Sequence, residues 1–260
     1  MQVIYYGANS WLWDFGHTRL LVDPWLVDDL VFGNLPWLFR GSHTHPIAQP
    51  DNVDAILLTQ GLEDHAHRPT LAVLDRQLPV IASPSGAKVV SELGYVNVTT
   101  LKHGDRHAWH DQLEIQATPG APIGLQRENG YIIRDRMTGL SLYYEPHGFY
   151  DPPTLTTAAP IDVVINPIVN LELPLVGAII QGDKAALNLA KLVHAQMILP
   201  TAAGGDIRYD GILDTILRTV GSAEALRQAL AAAGLTTTVF MPEPGQLTAL
   251  PVQARVTGTP

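Results

Sequence analysis

The 260-residue chain contains no cysteine. Disulfides, thiolate zinc sites and cysteine nucleophiles are therefore excluded as sources of stability or chemistry. Charge is sparse as well. Charged residues make up 16% of the chain, and 25 acidic side chains against 16 basic ones leave a net charge of −9. No run of Lys or Arg is available to neutralise phosphates, which is where nucleic-acid affinity mainly comes from, so no nucleic-acid partner is expected. Long apolar runs are missing too. The stretch 173–180 is eight residues long and contains Pro174, against the roughly 20 residues a bilayer span needs. The opening residues 1–7 lack the basic and apolar regions of a secretory leader. The expectation is a cytoplasmic protein without a transmembrane segment, working on a small molecule or a protein partner.

The residues present describe a chain able to build a core. Hydrophobic residues reach 46%, and a chain of this length buries roughly three-quarters of its unfolded surface. The 22 Gly and 20 Pro fit many turns. Ten His are the one compositional hint of metal chemistry.

Short β-prone runs at 3–6, 10–13 and 19–22 are broken by Gly7-Ala8-Asn9 and by Phe15-Gly16-His17-Thr18. Residues 25–50 read as a long loop rich in Trp, Phe, Gly and Pro, functional or flexible in character. The unalternating run 55–59 reads as a buried strand. The pattern then alternates. Helices are expected over 69–77, with Pro69 in the first turn, and over 85–93, closed by Gly94. Strands are expected at 78–82 and 96–101, then near 112–118, 130–134, 140–144, 161–167 and 197–200. A helix capped by Asp183 runs to about His194, and one capped by Ser222 covers 223–233; a last strand covers 236–241. Two sheets packed together with helices outside, in one domain spanning 1–260, fit this order.

The segment Leu57-Leu58-Thr59-Gln60-Gly61-Leu62-Glu63-Asp64-His65-Ala66-His67 carries the chemistry. It resembles the His-x-His-x-Asp-His loop of the metallo-β-lactamase superfamily. Tyr5-Tyr6-Gly7, Val22-Asp23-Pro24-Trp25, Thr118-Pro119-Gly120, Leu142-Tyr143-Tyr144 and Ile198-Leu199-Pro200 are similar to the landmarks of its branch of ascorbate-6-phosphate lactonase-like hydrolases. The resemblance covers nearly the whole chain and implies a four-layer αββα sandwich of the α/β (α+β) class. It also implies two adjacent metal sites that activate a bound water and polarise the scissile bond.

The implied ligand positions depart from that pattern. The two leading His positions fall on Gln60 and Leu62, the third on Ala121 and the C-terminal one on Ala202. The bridging aspartate falls on Glu145 or Pro146. Only Asp64 and His65 match in type. Leu and Ala ligate nothing, and a Gln amide is a poor zinc ligand beside imidazole. Substitutions in four separate segments are correlated, so the motif is degenerate and the usual dinuclear centre is not expected.

Asp64, His65, Glu145 and His147 are the candidates for a rearranged mononuclear site holding zinc or another divalent metal. A metal-free acid/base group is equally compatible with these residues, as is a structural role for Asp64 and His65 in capping the following helix. A two-ligand remnant without reinforcement is expected to hold no metal tightly. Asp23, in the position that supports the metal loop, is expected to hydrogen-bond His65 or the loop backbone, with His67 beside it; a plain Asp-Pro turn is the alternative. Gln60, Trp25, Trp37 and Tyr144 are candidates for substrate or partner contact, and Trp25, Phe32, Trp37 and Phe39 would overhang the mouth. His43 and His45 read as solvated loop residues, and His17 as part of a hairpin turn. Two functions follow. One is a hydrolase-like protein acting on a small ester, lactone or phosphate-bearing substrate, with Asp64 and His65 as catalytic residues. The other is a pseudoenzyme that binds a ligand or protein through the former cleft and the 25–50 loop.

Overall fold

The computed structural model describes residues 1–255. Two seven-stranded sheets face each other. The first runs, in spatial order, Thr248–Ala249, Gln2–Gly7, Ser10–Asp14, Arg19–Val22, Ala55–Leu58, Val80–Ala82 and Val98–Thr100. The second runs Thr238–Val239, Met197–Pro200, Val163–Asn166, Ser141–Tyr144, Gln126–Asp135, Leu113–Ile123 and Arg106–Trp109.

A two-residue side-chain period sorts each strand between layers. Trp11, Trp13, Leu57, Ile115, Tyr131, Tyr144, Val163 and Leu199 point into the shared core between the sheets. Their neighbours face outward. Ile56 and Leu58 pack on the helices Arg68–Val73 and Pro84–Glu92. Ile132, Tyr143, Val164 and Ile198 pack on Pro152–Ala158, Asp183–Val193 and Ala223–Ala232. A strand covered on both faces needs no polar positions, which is why 55–58 reads as an unbroken apolar run. The result is the αββα sandwich expected from the sequence.

Several local expectations are corrected. The helix predicted over 69–77 spans only Arg68–Val73, because Leu74 turns to extended backbone at ψ 157; Leu74 and Leu78 still pack on the outer core. Asp183 is the first residue of its helix and not the cap, a place held by Gly182 without a side-chain bond. The run 173–180 forms most of a hairpin, Asn170–Leu173 with Gly177–Ile180, paired to Arg218–Val220. Residues 25–50 carry strands of their own. Leu30–Val31 pairs with Arg40–His43, which pairs with Ile207–Asp210. His43 is half-buried there, not solvated. Its ring lies 4.1 Å from that of Trp25, and burial lowers its pKa despite a bond to the Trp25 carbonyl.

Within each sheet, four strands run parallel: Arg19–Val22, Ala55–Leu58, Val80–Ala82 and Val98–Thr100 in one, Ser141–Tyr144, Val163–Asn166, Met197–Pro200 and Thr238–Val239 in the other. The loops after strands 19–22, 55–58, 141–144 and 197–200 share one rim, the usual place for a site in α/β folds.

Candidate functional site

Asp23 follows the strand Arg19–Val22 with φ of 42, a backbone state that short polar residues tolerate. Its buried carboxylate is fully partnered. Oδ1 accepts from the Thr59 amide at 2.8 Å; Oδ2 accepts from the Thr59 hydroxyl at 2.6 Å and the Tyr144 hydroxyl at 2.9 Å. Oδ2 also lies 2.8 Å from Nδ1 of His65. A buried charge satisfied this way holds its partner in one orientation. Nε2 of His65 therefore faces the opposite way, 3.1 Å from Asp64 Oδ2 and 3.3 Å from Asn9 Nδ2.

Burial would lower the His65 pKa, but the charges and hydrogen bonds of Asp64 and Asp23 outweigh it and raise the value to about 10. Burial conversely acts to raise Asp64, and the His65 charge and hydrogen bond hold its carboxyl below the usual range. The buried Oδ1 of Asp64 has no hydrogen-bond partner.

His147 comes from the other sheet. After Ser141–Tyr144 the chain is gathered around the buried Glu145 carboxylate. Its Oε1 accepts from the Ala121 amide at 3.2 Å, and Oε2 from the amides of His147 at 3.1 Å and Phe149 at 2.7 Å. Burial pushes the Glu145 carboxyl up to about 7, against the pull of these amides. Gly148 has φ of +80, and a Cβ there would collide with the Gln181 carbonyl; the Gln181 amide in turn donates to the His147 carbonyl at 2.8 Å. So pinned, the His147 ring lies 5.1 Å from the His65 ring, and its Nδ1 is 3.4 Å from the Gln60 amide nitrogen. Burial, and then the His65 charge, lower the His147 pKa to about 3, which leaves a neutral imidazole.

Asp64, His65 and His147 each offer one ligand atom, and these atoms lie within 4.8 Å of one another. Two imidazole nitrogens and a carboxylate oxygen are a donor set that zinc takes with a further position open; it is also the set of mononuclear non-haem iron sites. The unpartnered Asp64 oxygen and the neutral His147 ring fit such an ion.

The structure thus brings together Asp64, His65 and His147, with Asp23 and Gln60 behind them. Glu145 stands apart, because both its oxygens are turned to backbone amides. His67 does not join the cluster. It caps the helix Arg68–Val73 through Thr70, so the capping role considered for Asp64 and His65 belongs to it. Tyr144 lies behind His65 as a donor to Asp23. Trp25 is wholly buried, with its indole N–H on the Asp28 carbonyl, and Trp37 is 60% exposed away from the cavity lining. Asn9 was missed by the sequence reading. It stands in the turn between the strands Gln2–Gly7 and Ser10–Asp14, where Gly7-Ala8-Asn9 signals a turn and nothing of the side chain's direction.

A cavity of about 400 Å³ opens above the cluster. Asn9, Asp64 and His147 face it, Leu62, Ala202 and Gly204 form part of its wall, and Leu30, Phe32, Phe39, Leu213 and Leu217 supply its apolar sides. The 25–50 segment contributes through Leu30, Phe32 and Phe39, not through its tryptophans.

The family model for the Beta-lactamase superfamily domain matches residues 2–202. No curated protein matches the chain. Among solved structures, the isothiocyanate hydrolase from Delia radicum gut bacteria is similar at TM-score 0.70 and 16% identity, over 96% of this chain and 99% of that one. Igni18, a metallo hydrolase from the archaeon Ignicoccus hospitalis, gives 0.65 and 17% over 95% and 97%. CmlA, a diiron β-hydroxylase from Streptomyces venezuelae, gives 0.65 and 15% over 96% of this chain and 54% of that one. Hydrolases and a hydroxylase share this fold, so the reaction has to be argued from the site.

Proposed function

The chain belongs to the beta-lactamase superfamily, and we propose that within it this protein is a hydrolase-like member with a rearranged mononuclear site made by Asp64, His65 and His147. The observation that carries this reading is the convergence of those three donors within 4.8 Å. Gln60, Leu62, Ala121 and Ala202, at the positions where the resemblance places further imidazoles, supply none, and the usual paired centre is absent from this reading. His147, from the loop after Tyr144, takes the place of a missing ligand.

A divalent cation held by Asp64, His65 and His147 would supply Lewis acidity and make a water more acidic there. The chain's own groups do the rest. Asp23, held by Thr59 and Tyr144, fixes the His65 ring so that Nε2 faces Asp64. Asn9 holds the Asp64 carboxylate. The substrate class is a small ester, lactone or phosphate-bearing molecule, and the same reading places the protein in the cytoplasm.

A second reading, a non-catalytic member that binds a ligand or protein in this cleft, has one observation behind it. Both ring nitrogens of His65 have carboxylate partners within the chain, Asp23 at 2.8 Å and Asp64 at 3.1 Å. The deciding experiment is elemental analysis of protein purified with zinc in the buffer, together with His147→Ala and Asp64→Ala. Near-stoichiometric metal in the wild type, lost in both variants, and hydrolysis of aryl ester or lactone substrates are expected. Absence of both metal and hydrolysis would overturn the hydrolase reading in favour of the second.

A further inference from the structure

Tyr209 is a hydrogen-bond donor with nothing in the chain to donate to. It lies on the strand Ile207–Asp210, directly across from Gly41 on the antiparallel neighbour Arg40–His43. The missing side chain at 41 makes room for its ring. A Cβ there would stand 3.2 Å from Cε1 of Tyr209 and 2.9 Å from Cη2 of Trp25, and a glycine within a strand often marks such a close approach. Phe39 packs on the same ring, with centroids 5.5 Å apart. The half-buried phenol is thereby fixed on the cavity wall, which it shares with Asn9, Asp64 and His147.

Its hydroxyl forms no hydrogen bond with the described residues. Burial first, then the negative charges of Asp64 and Asp214, hold its pKa above the ordinary tyrosine value, so the proton stays on near neutrality. The other polar groups at hand are committed. The Asn9 amide nitrogen stands 3.2 Å from Asp64 Oδ2 and 3.3 Å from His65 Nε2, and Tyr5 donates to the Ala8 carbonyl at 3.2 Å. Ionised Asp64 and Asp214 only accept. An unpartnered donor in such a place calls for a partner, and the oxygen of a bound ligand supplies one.

We propose that Tyr209 is a further catalytic residue: its hydroxyl donates a hydrogen bond to the carbonyl oxygen of an ester or lactone whose reacting carbon lies over Asp64, His65 and His147. The role rests on the hydrolase reading of that cluster. As a water oxygen bonds to the carbonyl carbon, the C=O electron pair moves onto the carbonyl oxygen. Tyr209 stabilises that oxyanion and keeps its own proton. Collapse restores the C=O bond and breaks the bond to the leaving oxygen, which takes a proton from the attacking water. A donor aimed at a developing oxyanion strengthens its bond as the charge grows, so it lowers the barrier more than it tightens substrate binding.

Tyr209→Phe tests this, because it keeps the ring over Gly41 and removes only the oxygen. In protein purified with zinc in the buffer, metal content and thermal midpoint should match the wild type. The kcat on phenyl acetate should fall by roughly 100- to 1,000-fold, while KM moves by less than about threefold. Benzylphosphonate, a tetrahedral anion that resembles the intermediate, should bind the variant about tenfold or more weakly in calorimetric titration. A kcat within about threefold of wild type overturns the proposal, as does equal phosphonate affinity in the two proteins. Metal lost from the variant also overturns it, since the hydroxyl would then be structural. These failures leave wild-type metal and hydrolysis intact, and so the cluster. A wild type with neither removes the cluster reading first and the role of Tyr209 with it.

Discussion

Nδ1 of His65 stands 2.8 Å from Oδ2 of Asp23, a residue 42 positions earlier in the chain, and both side chains are wholly buried. The contact ties the loops after two parallel strands together and decides which ring nitrogen of His65 faces Asp64. A histidine placed by the motif loop alone would be free to turn either nitrogen toward Asp64.

Asp23→Asn tests that relationship. The amide keeps the shape and loses the charge facing the imidazole. Zinc affinity should fall by about 10- to 100-fold, and stability by about 3–5 kcal/mol, since one partner of a buried pair is removed. Metal competition titration and urea unfolding read the two effects. Unchanged affinity would mean that Asp23 is only a turn residue.

Glu145→Gln separates a ligand from a loop organiser. Three backbone amides donate to the Glu145 carboxylate within 3.2 Å, and the neutral amide can accept on one atom only. Stability should drop by about 1–3 kcal/mol, with metal stoichiometry retained. Metal loss as complete as in His147→Ala would make Glu145 a ligand after all.

Trp25 was a candidate binding residue and is fully buried against Ala8, Leu30 and Phe39. Trp25→Ala should cost about 3–5 kcal/mol in denaturant unfolding. A loss below about 1 kcal/mol would contradict a core role.

Asp135 provides a pH signature distant from the cluster. Burial acts to raise its carboxyl, but the Thr138 hydroxyl, the Met137 amide and His17 outweigh it and hold the pKa below the usual carboxylate range. A depressed carboxylate binds protons less readily folded than unfolded. Its contribution is therefore complete above the unfolded value and disappears as pH falls through the lower folded one. Wild type should exceed Asp135→Asn in unfolding free energy near neutrality, and the gap should close as pH drops below about 4. A constant gap from pH 7 down to pH 3 would refute the assignment.

Much of the architecture was legible because it follows from period and composition. Trp11 and Trp13 alternate with Leu12, and Leu142 and Tyr144 with Tyr143. The 55–58 run is apolar on both faces. These patterns place the strands and the rim, and with the motif they place Asp64 and His65. The 25–50 segment was less legible. Its pairing partner, Ile207–Asp210, lies more than 150 residues away, and short strands without alternation leave no local mark.

The sequence by itself determined the two-sheet sandwich, the strand ends that form the rim, and a loop that carries Asp64 and His65. Tertiary structure decided which other residues join them. Glu145 and His147 are two positions apart on one loop, yet the amides of Ala121, His147 and Phe149 draw the carboxylate inward while Gly148 and Gln181 hold the imidazole toward His65. Asn9 and Leu213 reach the cavity from opposite ends of the chain in the same way. Side-chain direction on a loop is set by contacts distant in sequence, and residue type and spacing carry no record of them.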